Sequence, residues 1–221
     1  MVRSRAQLIN PRVRGTVKSF GARLPKCSTA SFHKKVAACI AEDLRPALEP
    51  LIETIASLST RVRHYDCELE DLAQEHYPET KLLLQVQGVG TLTALTFVLT
   101  LEDPGRFEES RRVGAYLGLV PGKDHSGERD PQKRIFSREG DEMLRRLLVG
   151  SAHYILGPFA EDSDLRRHGL KIAGGVAAKN ARKRAVVAVA RKLSVLLHHL
   201  WISGELYEPL YNARQLKSRA A

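Results

Sequence analysis

Leu44, Leu48, Leu51, Ile55, Leu58, Val62, Tyr65, Leu69 and Leu72 follow one another at alternating steps of four and three residues, with mostly polar or charged residues between them. This is the a/d pattern of a coiled coil, sustained over about four heptads, and it predicts one long amphipathic helix with a narrow apolar seam. Pro46 and Pro50 fall near its start, so its regular part is expected from Leu51. Such a seam needs a facing helix. No second heptad run of similar length occurs in the chain. The pattern therefore favours a partner from a second copy, or from a segment outside this sequence, over a fold-back.

The flanking patterns are shorter. Residues 3–20 read as a basic helix, interrupted or kinked at Pro11 and stopped at Gly21, with a loop at 24–30. Pro78 closes the heptad region, and from Thr80 the chain turns apolar and glycine-punctuated. Helices are predicted at 80–86, 91–101, 109–117, 138–156 and 178–202. Strand signal is confined to Leu117–Val120 and Arg134–Phe136, and 204–221 reads as a loose tail. The expected fold is mainly α: a long coiled-coil helix, then a compact helical domain containing a helix-hairpin-helix. The boundaries fall at 1–30, 31–78, 79–203 and 204–221. A chain of 221 residues suffices for one ordinary core or two small ones.

Charge adds a partner to this picture. Thirty-five lysines and arginines face 25 acids, a net +10, which favours a polyanion such as nucleic acid. The excess is gathered: seven basic residues and no acid from Met1 to Lys26, nine and none from Arg166 to Lys192. Clustered cations can neutralise a run of phosphates and release their counterions. Cys27, Cys39 and Cys67 have neither zinc-ligand spacing nor a disulfide framework. No apolar run approaches the ~18 residues of a membrane span, and no signal-peptide core follows the first residues.

Four segments are candidates for chemistry. Residues 84–94 (LQVQGVGTLTA) carry the helix-hairpin-helix signature. Gly88 and Gly90 permit a tight turn, and backbone N–H groups there and at the next helix start can hold a DNA phosphate. A plain packing turn is the alternative, since no lysine or arginine lies beside it in sequence. Residues 115–127 (AYLGLVPGKDHSG) lead from an apolar element into a polar loop, with Lys123 inside it and Arg129, Lys133, Arg134 and Arg138 following. Ser126 there is a candidate nucleophile for a phosphodiester, with the basic residues stabilising phosphoryl charge. Spacing alone favours a simple turn at Ser126-Gly127. Residues 140–149 read as an amphipathic helix whose Asp141 and Glu142 suit its first turn rather than a metal. Finally, Lys179, Arg182, Lys183 and Arg184 edge an alanine- and valine-rich helix, as a phosphate-tracking face or a merely solvated one.

In this order, the pieces resemble the C-terminal half of IS116/IS110/IS902-type insertion-sequence transposases, a family of bridge-RNA-guided serine recombinases. Residues 2–10 (VRSRAQLIN) and 14–21 (RGTVKSFG) resemble the end of the family's RuvC-like domain, and the heptad helix resembles its coiled-coil connector. Gly88-Val-Gly90 and the span Tyr116–Val149 resemble its transposase domain, most specifically in GLVP at 118–121, Ser126-Gly127 and SREG at 137–140. The resemblance implies magnesium held by acids on the RuvC-like domain, and a transposase-domain serine that attacks DNA and holds it as phosphoserine. It also implies a guide RNA that reads the target by base pairing, in a bacterial cytoplasm. It places the serine at Ser126. Members often show two serines before the glycine, where this chain has His125 first.

The first acid of the chain is Glu42, so the magnesium ligands are expected upstream of Met1. The chain is expected to be a truncated copy, a split gene product or a fragment without the RuvC-like domain. Two readings follow. One is a recombinase part that binds DNA and guide RNA, forms homo-oligomers through 44–74, and is competent at Ser126 only with a RuvC-like partner. The other is a non-catalytic DNA-binding and dimerisation module, a transposase relic.

Overall fold

The computed structural model describes residues 1–120, 140–174, 179–212 and 215, with only the backbone of Lys179. Every described regular element is helical, and the chain divides into two compact units, Met1–Asp71 and Leu72–Ala221.

In the first unit, α1 (Val2–Gln7), a π-helical stretch (Leu8–Arg14) and α2 (Gly15–Ser19) run on without a break. Pro11 explains the wide stretch: it has no N–H to donate, and its ring crowds the carbonyl four residues back, so the ladder loosens there. The chain turns at Gly21 and continues through α3 (Phe32–Val36) into α4 (Arg45–His76). Pro46 lies in the first turn of α4, where an amide hydrogen is not needed, so the helix starts before Leu51. Pro50 is carried inside it.

The core of this unit joins Ile9, Val13 and Val17 to Phe32, Val36 and Ile40, and to Leu44, Leu48, Ile52 and Ile55 of α4. The first turns of α4 thus find their partner within the chain, against the expectation of an intermolecular one. The core-facing register takes in Ile52, which the heptad reading leaves out, while Leu51 is only half-buried. Beyond Ser59 the seam emerges: Val62 and Leu69 are half-buried, Tyr65 and Leu72 exposed.

The second unit contains α5 (Thr80–Leu84), α6 (Thr91–Leu101), α7 (Ser110–Tyr116), α8 (Glu142–Ile155), α9 (Asp164–Ala173) and α10 (Lys179–Ser203). α10 packs on α7, α8 and α9. Its Val186, Val189, Ala190, Leu193, Leu197 and Leu200 meet Phe97, Val98, Leu101, Val113, Leu144 and Leu148 in one core. Asn180–Ser203 is apolar and long enough to cross a membrane, but here it is the core helix of the unit. Asp141 caps α8 by accepting from the Leu144 N–H at 2.6 Å, and Ser163 caps α9 by accepting from Arg166 at 3.2 Å.

Three features depart from the sequence reading. The 117–120 segment is no strand: Leu117 ends α7, and the Leu119 N–H returns to the Gly114 carbonyl at 2.9 Å. The 134–136 candidate lies outside the described residues. α9 divides the basic 166–192 stretch and had not been foreseen. Residues 204–212, expected to be loose, are pinned: Tyr207 N–H donates to Gln85 Oε1 (2.9 Å), Asn212 N–H to Asp164 Oδ2 (2.7 Å), and Asp164 N–H to the Pro209 carbonyl (2.7 Å).

His198 of α10 is fully buried, its Nδ1 2.9 Å from Ser110 Oγ and its Nε2 3.0 Å from the Pro104 carbonyl. A carbonyl can only accept, so Nε2 carries the hydrogen and Nδ1 accepts from the serine. Burial is the main cause holding its pKa below the ordinary imidazole range. The folded state therefore takes up the proton less readily than the unfolded chain. This contribution is complete above the unfolded pKa of about 6.5 and is lost as pH falls through and below it. Urea unfolding at pH 7.5 and 5.5 should show it. His198→Ala is expected to lower stability by about 2–4 kcal/mol at the higher pH, and by less at the lower.

Candidate nucleic-acid interface

Between α5 and α6, Val86 and Val89 point into the core while Gln85 and Gln87 brace neighbouring chain. Gln85 takes the Tyr207 N–H, and Gln87 Oε1 takes the Glu161 N–H at 2.8 Å. The two glycines differ in role. Gly88 has φ +91°, and a Cβ there would lie 3.1 Å from the Tyr154 ring and 3.2 Å from the Ser151 carbonyl of α8. Its place is required by packing and conformation together. Gly90 is extended (φ −97°, ψ 171°), exposed, and open around a would-be Cβ. It is the turn's approachable face, at the start of α6. A cleft beside it is walled by α8 and includes Arg146. Sequence reasoning missed this cation because it comes from a helix more than fifty positions away.

Ser126, Lys123, Arg129, Lys133, Arg134 and Arg138 lie outside the described residues, as does His125. The points where that segment leaves and rejoins the described chain are well defined. Gly140, at φ +76°, lies so close over the Tyr116 carbonyl that a Cβ would clash with it. The buried Arg145 guanidinium donates through Nη1 to the Leu117 carbonyl (3.3 Å) and to the Gly140 carbonyl (3.5 Å).

The basic stretches divide into working parts. Arg182, Lys183 and Arg184 are exposed together on the first turns of α10, with the Lys179 side chain outside the description. Arg184, Arg191, Lys192 and Arg111 line a groove of about 1420 Å³ along α10, which also contains His168. Burial first, then Lys192 and Lys171, keep the His168 pKa below the ordinary range. Other cations are engaged in the fold. Arg166 donates to the Ile155 carbonyl at 2.8 Å and to that of Gly157, closing the end of α8, and Arg167 pairs with Asp162. In the first unit, buried Arg5 reaches Ser59 Oγ at 3.3 Å. Arg14 donates to the Leu24 and Pro25 carbonyls and lies over the Phe32 ring. Arg3, Arg12, Lys18, Arg23 and Lys26 are exposed.

Among the described residues no group of three or more His, Cys, Asp or Glu side chains converges to hold a metal. The described residues thus offer no set that fits magnesium.

The sequence has known counterparts. Residues 80–161, from α5 to just past α8, match the sequence model of the Transposase IS116/IS110/IS902 family. Over 94% of its length the chain is 30% identical to a protein of Sinorhizobium fredii assigned as transposase y4pF/y4sB, of which it covers 53%. It is 27% identical, again over 94%, to the transposase for insertion sequence element IS1111A of Coxiella burnetii, covering 57% of it. It is 30% identical over 84% of its length to the transposase for insertion sequence element IS1328 of Yersinia enterocolitica, covering 60%. The chain thus spans between half and two thirds of the length of these relatives. The chain is thus similar to insertion-sequence transposases over most of its length, and to the IS116/IS110/IS902 family in residues 80–161.

The contrast between the hairpin glycines is measurable. Gly88→Ala, strained in φ and crowded by α8, is expected to destabilise the protein by about 1–3 kcal/mol. Gly90→Ala is expected to change stability by no more than about 0.5 kcal/mol. Equal effects in thermal unfolding would contradict the assignment of Gly88 to packing and Gly90 to an open face.

Proposed function

We propose that this chain is the part of a transposase that grips nucleic acid and carries the attacking serine. The observation that carries the reading is the family match across 80–161, a span that contains Ser126. The exposed cluster Arg182, Lys183 and Arg184 supports it with a surface suited to phosphates. DNA is the primary partner and a guide RNA the reader of sequence, so the protein itself needs only backbone contacts. Ser126 is the nucleophile by resemblance. Its hydroxyl needs activation, which this reading assigns to a RuvC-like domain. The second half of the α4 seam, from Val62 to Leu72, with Tyr65 and Leu72 exposed, is proposed to pair with another copy of the chain, since its four-three spacing continues past the intramolecular core.

Binding to a mixed-sequence DNA duplex is expected to weaken steeply with salt. Replacing Arg182, Lys183 and Arg184 together by alanine should lower the slope of log affinity against log salt by about two to three, because each neutralised phosphate contributes about 0.9. A flat salt response in the wild type sinks the electrostatic reading.

With a RuvC-like domain, magnesium and guide RNA supplied, a covalent protein–DNA adduct is expected on denaturing gels. Ser126→Ala should abolish it and leave DNA affinity within about twofold, because a single neutral hydroxyl contributes little to a charge-driven interface. An adduct that survives Ser126→Ala assigns the nucleophile elsewhere.

Val62→Lys with Leu69→Lys should shift the light-scattering mass to that of a monomer. A wild type already monomeric at micromolar concentration removes the pairing through α4.

A further inference from the structure

The groove along α10 combines an apolar floor with charge on its flank. It has a volume of about 1420 Å³ and is lined by α9, α10 and the segment 205–212. Val187, Ala188, Val195 and Leu196 of α10 and Ile172 of α9 line it, each only half-buried. Leu206 and Tyr211 line it while 80% and 54% exposed. The bonds made by the Tyr207 and Asn212 N–H groups hold that wall in place, so its apolar side chains are presented to solvent by a fixed backbone. Arg111, Arg184, Arg191 and Lys192 also line the groove, and their side chains form no hydrogen bond or ion pair among the described residues. Arg184 and Arg191 stand seven residues apart on α10, about two turns or 10 Å along one face.

A partner for this surface is apolar along one stripe and anionic beside it. The second half of α4 has that form. From His64 to Thr80 there are six acids and no lysine or arginine. Glu68 and Glu75 flank the α4 seam at the same seven-residue spacing as the two groove arginines. Their pairs with His64 (3.3 Å) and His76 (4.0 Å) are exposed on both sides and too weak to withhold them. Between them lie the half-buried Leu69 and the exposed Leu72. A nucleic-acid strand suits the groove less well. Its α10 floor is aliphatic where bases stack on aromatic rings, and Asp164, Glu205 and Glu208 interrupt its cations.

We propose that the second half of α4 from one copy docks in the α9–α10 groove of another copy, with Leu69 and Leu72 on the aliphatic floor and Glu68 and Glu75 against Arg184 and Arg191. This is an amphipathic helix laid in a groove, its register fixed by opposite charges. The inference rests on the pairing of the α4 seam with another copy proposed above, and names the surface that the seam meets.

The test uses the full chain in low-salt buffer, its mass followed by light scattering over a concentration series. Arg184→Glu with Arg191→Glu is expected to weaken self-association about a hundredfold by setting like charges face to face, with the melting temperature preserved. Glu68→Arg with Glu75→Arg should weaken it by a similar factor. Combined in one chain, the two pairs restore opposite charges and should bring affinity back to within about tenfold of wild type. Self-association untouched by Arg184→Glu with Arg191→Glu, or not rescued in the combined chain, overturns the groove and leaves the pairing of α4 standing. If the groove pair loses affinity for a DNA duplex or single-stranded RNA while self-association is unchanged, the groove belongs to nucleic acid and the inference also fails. A wild type monomeric at micromolar concentration overturns this inference and the pairing it rests on together.

Discussion

Burial of one apolar face of α10 is the constraint on which the second unit depends. Val189, Ala190, Leu193 and Leu197 are inaccessible to solvent, and each large side chain so buried contributes on the order of 1.5–3 kcal/mol. The helices around it approach closely because small residues stand at the contacts. A Cβ on Gly169 of α9 would lie 2.6 Å from Val189, and one on Gly114 of α7 would lie 2.9 Å from the Arg191 stem. Once this face is buried, the rotation of α10 is set. Arg182, Lys183 and Arg184 at one end face solvent, and His198 near the other meets Ser110 and Pro104.

The same economy governs the cations. A net charge of +10 suggests a uniformly sticky surface, yet the arginines do different work. Arg5, Arg14, Arg145 and Arg166 satisfy carbonyls or hydroxyls inside the fold. A planar guanidinium with several donors can close a helix end or a turn in a way lysine's point charge does not. Among the described residues, the cations open to a polyanion include those on the first turns of α10 and along its groove, the exposed ones of the N-terminal stretch, and Arg146 beside the turn between α5 and α6.

Much of the helical plan was legible, and the misses have physical causes. The regular steps of α4, Pro78 and the glycines at 21, 88 and 90 announce elements because each acts locally, whereas Pro46 and Pro50 put the expected start of α4 too late because one lies in its first turn and the other is carried inside it. α9 escaped because Asp164–Ala173 carries few apolar residues, and its apolar stripe runs through Gly169, which adds no hydrophobic signal. The partner of the first turns of α4 was misjudged because the facing segment presents Ile9, Val13 and Val17 around a π-helical turn, which no heptad template matches. Arg146 was invisible beside the hairpin because only the tertiary fold brings α8 to α6. The family resemblance supplied Ser126; residue spacing alone favoured a turn there.

The junction of Leu117, Gly140 and Arg145 has a consequence of another kind. Where two points of a chain are fixed side by side by the core, the entropy of bringing them together is settled before any intervening residue takes a position. Lengthening the intervening segment then adds only a logarithmic cost, about 0.6 kcal/mol per doubling. The stability of the scaffold therefore sets little limit on the length of chain between Val120 and Gly140.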